Sequence, residues 1–166
     1  MSIEDTLREV IEPYISDCRY LKEAELDCNG EFPKAIGKFE IPRSFYCIKT
    51  GHFNAVEAMI CYNQLAYTMF GECSQKGMIG SHEPMSLEKF KSLQIVSYIV
   101  KIKELIFKKP INPQHFHGKI ELLRASNISN NLFLCTKFEF ADDGEGFASG
   151  KALLAVSLEN IANHNL

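Results

Sequence analysis

The chain has 166 residues, a formal net charge of −3, and is 46% hydrophobic and 23% charged. These are the proportions of an ordinary globular protein with one core, and no cluster of Lys and Arg is dense enough to make nucleic acid or an anionic membrane the main partner. The opening "MSIEDTLREVIEPY" is too acidic and too interrupted for a signal peptide. No apolar run reaches the length of a membrane span. The six cysteines contain no CxxC pair, which excludes the usual zinc and redox motifs and predicts reduced thiols in a cytoplasm. The expectation is a single cytoplasmic domain over residues 1–166.

Residues 2–12 predict a short amphipathic helix, with Ser2 and Asp5 forming a capping box, Ile3, Leu7, Val10 and Ile11 its apolar face, and Pro13 its stop. "YLKEAELDCNGEFPKAIGKFEI" predicts two short strands about a turn, with Asn29-Gly30 a hairpin signal. A long, nearly all-apolar helix follows over about 54–70, then a Gly-, Ser- and Pro-containing connection with a short helical turn near 87–93. "IVSYIVKIKELIF", "FHGKIELLRAS", "NLFLCTKFEF" and "FASGKALLAVSL" predict four strands separated by "KKPINPQ", "NISNN" and "ADDGEG". One helix followed by four consecutive strands is not a βαβ alternation. An α+β fold results, in which an antiparallel sheet wraps around one long central helix. A sheet covers only one side of so apolar a helix, so a homodimer or higher oligomer is expected.

The stretch "GHFNAVEAMICYNQLAYTMF" sets a conflict. Glu57 is its only formal charge, and at 100° per residue Asn54, Glu57, Cys61, Gln64 and Thr68 share one stripe. Asn54-x-x-Glu57 has the spacing of a capping box, with the Asn accepting from the N3 amide and Glu57 reaching back. His52, Asn54 and Glu57 together also suit acid–base chemistry beside a helix N-terminus, where amide donors can hold a developing oxyanion. The pattern leaves both readings open.

"GHFNAVE", "NQLAY", "EPY", "CRYL" and "KPINPQ" together resemble the FcoT-like family of hot-dog-fold acyl-thioester enzymes from about Pro13 to about Ala155. The resemblance implies a hot-dog fold, pairing with a second subunit, and no cofactor beyond the phosphopantetheine or coenzyme A that carries the substrate. It also implies one of two activities. The family is named for hydrolysis of long-chain fatty acyl-CoA, and some members are described as adding glycine to a carrier-protein-bound 2-enoyl thioester in isonitrile lipopeptide pathways. Tyr14, Tyr46, Asn54 and Tyr67 match residues proposed to line the family's active site. Tyr62 stands where a phenylalanine is familiar.

"GHF" opening a glutamate-bearing helix is also similar to the 3-hydroxyacyl carrier-protein dehydratases, and that similarity favours chemistry at the β-carbon. On this reading His52 or Glu57 moves the proton, Asn54 and the helix terminus hold the thioester oxygen, and the three tyrosines orient the substrate. Arg19 or Arg43 could bind the glycine carboxylate, Gln64 lies on the same stripe, and Lys108 and Lys109 could meet the phosphates of coenzyme A or of the carrier arm. A non-catalytic acyl-binding module is the third reading, and the polar stripe counts against it. His115 and His117 alternate on a predicted strand without a third ligand nearby, so no metal site is expected. "DDGEG" reads as a hairpin turn.

Overall fold

A computed structural model describes residues 2–29, 31–44, 53–79, 83–95 and 97–157. The elements run α1 (Ile3–Ile11), a 3-10 turn (Ser16–Cys18), β1 (Leu21–Asp27), β2 (Lys34–Phe39), α2 (Ala55–Gln75), α3 (Leu87–Ile95), β3 (Ser97–Lys109), β4 (Phe116–Ile128), β5 (Asn131–Ala141) and β6 (Phe147–Ser157). All strand pairs are antiparallel, in the order β1-β2-β4-β5-β6-β3. The sheet packs on α2, which gives the hot-dog arrangement the motifs implied.

The sequence accounts for most of these boundaries. Ser2 caps α1 reciprocally, its hydroxyl accepting from the Asp5 amide at 3.3 Å while the Asp5 carboxylate accepts from the Ser2 amide at 3.0 Å. "NISNN" closes β4 onto β5 through Ser129 and Asn130, both at positive φ (47° and 59°), the backbone that a two-residue hairpin loop requires. β5 alternates strictly between buried and half-buried residues, as a strand with one face on a core must.

The predicted end of the central helix is wrong by more than a turn. Gly71 reads as a stop, yet α2 continues to Gln75 and closes at Gly77, whose φ is +65°. There the amides of Gly77 and Met78 donate to the carbonyls of Ser74 and Cys73 at 3.2 and 2.9 Å, a Schellman closure. Gly71 instead serves packing. A β-carbon there would lie 3.1 Å from Thr6 and 3.2 Å from Phe90, so its absence lets α1 and α3 both approach α2.

That approach changes the premise behind the oligomer expectation. α1 and α3 cover the side of α2 that the sheet leaves open, and Ala58, Leu65, Ala66, Met69 and Cys73 are all buried within one chain. The unpartnered apolar surface lies instead on β3, an edge strand among the described residues, where Tyr98, Val100, Ile102, Ile106 and Phe107 are exposed. No helix among the described residues is long and apolar enough to cross a membrane, and Cys18, Cys28, Cys61, Cys73 and Cys135 are free thiols.

α1 is latched to α2 by buried polar groups. The Thr6 hydroxyl donates to Glu72 at 2.8 Å and accepts from the Gln75 amide at 3.1 Å, while Lys76 pairs with the other Glu72 oxygen at 2.9 Å. Thr6→Val keeps the shape but leaves Gln75 and Glu72 each short of a partner. It is expected to cost about 1–3 kcal/mol, seen in urea unfolding as a lower midpoint with an unchanged slope.

Candidate active site

The N-terminus of α2 is fixed from both sides. Phe53 is buried in an aromatic cluster, its ring centroid 4.9 Å from that of Phe116 and 5.2 Å from that of Phe140. β4 makes room for this cluster at Gly118, where a β-carbon would meet the Phe140 ring at 2.7 Å. Asn54 follows as the N-cap, its side-chain oxygen accepting from the Val56 amide at 2.8 Å. The amide it holds is therefore N2, not the N3 amide that a capping box would use. Asn54 opens onto a groove of about 580 Å³ that Phe53, Phe107, Lys108 and Lys109 also line. The structure thus brings together Asn54 and the two lysines. Lys108 lies 5.2 Å over the Phe147 ring, and Lys109 pairs with Glu145.

The polar stripe of α2 faces inward. Glu57, Cys61, Gln64 and Thr68 all have zero exposed surface, so it neither faces solvent nor lines an open channel in one chain. The Glu57 carboxylate accepts from the Ser44 hydroxyl, itself buried. Ser44 gave no signal in the sequence, because only the fold brings residue 44 to residue 57. Burial, reinforced by the Glu57 charge, pushes the Cys61 thiol well above its usual range.

Gln64 is spent on backbone. Its carbonyl oxygen accepts from the Tyr20 and Leu21 amides at 3.0 and 2.9 Å, and its amide nitrogen donates to the Cys18 carbonyl at 2.6 Å. It pins the entry to β1 against α2 and presents no spare group to a substrate. Arg19 likewise holds backbone, its guanidinium donating to the Glu12 and Tyr14 carbonyls, both at 2.8 Å, which fixes the turn carrying Tyr14. Arg43 is exposed and pairs with Asp17 at 3.1 Å.

Tyr14 and Tyr67 come together in an open groove of about 570 Å³ between α1, α2 and α3, with Lys91 and Gln94 on its wall. Burial raises both phenols, and each stays protonated through neutral pH; Tyr67 adds to the effect on Tyr14. Tyr67 also borders an apolar slot lined by Phe70, Ile79, Phe90, Leu134 and Leu154. Tyr67 follows Asn54 by thirteen residues, which on a helix is about 20 Å along the axis. One chain therefore holds two separate groups of the predicted residues, Asn54 with Lys108 and Lys109 at the N-terminus of α2 and Tyr14 with Tyr67 further along it. His52 and Tyr46 lie outside the described residues.

The two histidines set aside for metal are exposed, His115 just before β4 and His117 within it, and no group of three metal-ligating side chains occurs among the described residues. "DDGEG" is a hairpin turn as expected. The Asp142 carboxylate accepts from the amides of Asn112, Gly144 and Gly146 at 2.7, 2.9 and 2.9 Å, and those bonds, that from Asn112 most, hold its pKa below the usual range.

An inward helix with amide donors, a cap and a basic groove at its N-terminus, wrapped by an antiparallel sheet, defines a hot-dog thioester-enzyme scaffold. The chain belongs to the family of the FcoT-like thioesterase domain, whose model matches residues 9–156. A (2E)-enoyl-ACP glycyltransferase of Mycobacterium marinum is 35% identical over 156 residues, 92% of this chain and 85% of the relative. One of the same name from Streptomyces coeruleorubidus is 32% identical over 160 residues, 93% and 97% of the two chains. Among solved structures, a putative thioesterase from Lactococcus lactis superposes with a TM-score of 0.54 at 14% identity, covering 96% of this chain and 99% of that one. A dehydratase heterocomplex from Xenorhabdus doucetiae gives 0.55 at 10% identity, covering 96% and 93%. At those identities the likeness concerns the fold alone.

Two substitutions separate scaffold from site. Gln64→Leu strands three buried backbone groups and is expected to cost on the order of 3 kcal/mol or more. Tyr67→Phe removes a groove hydroxyl and should stay within about 0.5 kcal/mol of wild type while lowering turnover. Denaturant melts run beside a thioester assay check both.

Proposed function

We propose that the protein joins glycine to the β-carbon of a 2-enoyl thioester carried on an acyl carrier protein. The observation that carries this reading is the agreement in name of relatives at 32–35% identity across more than nine-tenths of the chain. The geometry is compatible with it. The thioester oxygen sits at the N-terminus of α2 beside Asn54, where helix amides stabilise the enolate. The carrier arm lies over Lys108 and Lys109. A base takes a proton from the glycine ammonium, the candidates being His52 and Glu57, of which Glu57 is buried against Ser44 within the single chain; the amine attacks the β-carbon, and the enolate receives a proton at the α-carbon. No bond to the carrier sulfur breaks. An isonitrile lipopeptide-type pathway in the cytoplasm is the setting this reaction implies. Hydrolysis of acyl-CoA is the second reading, and the family model's own description favours it.

Mass spectrometry of an enoyl-loaded carrier protein decides between them. With enzyme and glycine the carrier is expected to gain one glycine mass with its thioester intact, and the gain to vanish without glycine. Release of the free carrier thiol at equal rates with and without glycine would make the enzyme a hydrolase. Asn54→Ala should abolish the gain, although loss of a cap costs only about 1 kcal/mol.

The active unit on this reading is a homodimer. Asn54 and Tyr67 lie about 20 Å apart along one helix, and on this reading two copies pair along the exposed β3 edge so that Asn54 of one α2 and Tyr67 of the other meet the same substrate. Asn54→Ala and Tyr67→Phe chains, each impaired alone, should then complement when co-folded. Random pairing restores one intact site in half of the dimers, about a quarter of wild-type activity. No recovery on mixing, or a monomer by light scattering, would remove the shared site.

A further inference from the structure

The groove that brings Tyr14 and Tyr67 together also carries both signs of charge. Its described lining holds one cation, Lys91 on α3, and one carboxylate, Glu12 at the end of α1. The two phenols complete the polar set. Burial keeps both protonated at neutral pH, so each can donate a hydrogen bond. Neither phenol hydroxyl, nor the Glu12 carboxylate, makes a hydrogen bond or ion pair among the described residues. Three polar groups with no protein partner therefore share one open space of about 570 Å³.

Lys91 is only partly engaged. Its ammonium meets Glu9 at 2.7 Å, which uses one of its three N–H donors. The pair lies at the surface, the Lys91 side chain 32% exposed and that of Glu9 53%, and such a pair holds its members weakly. The ammonium is therefore free to share itself with a second carboxylate that arrives in the groove. The arginines that the sequence offered for a glycine carboxylate do not line this groove. Arg19 holds the Glu12 and Tyr14 carbonyls, and Arg43 pairs with Asp17.

The arrangement selects among ligands. A groove with a cation, a carboxylate and two phenol donors suits a small zwitterion, which presents a carboxylate to Lys91 and an ammonium to Glu12. A fatty acid or a plain alkyl amine matches only half of that set. The neighbouring space is also suitable. Tyr67 walls both this groove and the apolar slot formed by Phe70, Phe90, Leu134 and Leu154, so a charged headgroup in one lies beside an alkyl chain in the other.

We infer that the Tyr14–Tyr67 groove is the amino-acid subsite, in which Lys91 binds the carboxylate of the incoming glycine. The inference rests on the reading of the reaction as glycine addition. Lys91 forms an ion pair and neither a covalent bond nor a proton transfer, so it acts on the binding of glycine and not on that of the loaded carrier.

Initial rates on an enoyl-loaded carrier protein with glycine varied test this. Lys91→Met is expected to raise the KM for glycine about tenfold, with the KM for the loaded carrier within about twofold of wild type, and Lys91→Arg to recover most of the loss. Glycinamide, which keeps the amine and lacks the charge, supplies a second readout. Wild type should prefer glycine to glycinamide, and Lys91→Met should lose about tenfold of that preference. Glu9→Gln breaks the same contact between α1 and α3 but leaves the ammonium in place, so its KM for glycine should equal or fall below that of wild type. A Glu9→Gln variant that reproduces the Lys91→Met loss makes Lys91 a strut between helices and overturns the proposal. A wild type whose carrier gains no glycine mass refutes the addition reading and the subsite with it. Glycine addition by wild type, with Lys91→Met unchanged in both readouts, overturns the subsite alone.

Discussion

The side-chain amide of Gln64 is the constraint around which the rest of the chain is arranged. The polar stripe of the central helix is enclosed, so each polar atom on it must find a partner inside. Gln64 resolves this by taking over backbone groups at the entry to β1, where the chain leaves the 3-10 turn and no ladder bond is available. In doing so it sets where β1 begins and holds the Tyr20 backbone, while Arg19 fixes the turn that carries Tyr14. Glu57 and Glu72, at the two ends of the same helix, repeat the solution with Ser44 and Thr6. The polar stripe is thus the means by which α2 holds its surroundings in register.

This explains how much was legible in the sequence. Period-2 alternation, the Ser2 cap, and the turns at "NISNN" and "ADDGEG" are local, and the strands and turns fall where local chemistry places them. Helix α2 was legible as a helix but not in its length, because Gly71 carries the local signature of a stop and the global role of a close contact with Thr6 and Phe90. Sequence alone does not distinguish the two; that depends on α1 and α3 lying where they do. The same limit applies to Gln64, which a helical wheel groups with Asn54 and Glu57 although its partners are backbone atoms more than forty residues away.

The site shows a sharper version of that limit. Separated motifs identified the family, and the resemblance singled out Tyr14, Asn54 and Tyr67. What the motifs could not convey is that Asn54 and Tyr67 lie thirteen residues apart on one rigid helix. That is about 20 Å along its axis, a separation set by the backbone and not by side-chain rotamers. The separation is a property of the element, fixed once the sequence commits residues 55–75 to one helix. The exposed, 13-residue β3 is a second large-scale feature that no motif announces. An apolar edge strand of that length is a liability unless something pairs with it or covers it.

The position of Cys61 narrows the chemistry further. A thiol on the reactive face of the helix, one turn from a carboxylate, invites comparison with a covalent thioester-exchange enzyme. The physical setting argues otherwise. Only the thiolate is a competent nucleophile, and here burial and the neighbouring Glu57 charge both oppose its formation. A histidine or arginine could reverse that balance, yet the described groups facing it are Glu57 and the phenols of Tyr14 and Tyr20, none of which is cationic. Cys61 is therefore a small buried packing residue and not a nucleophile. What α2 offers a thioester is its N-terminal amide donors beside Asn54, and donors of that kind stabilise an oxyanion without holding an acyl group.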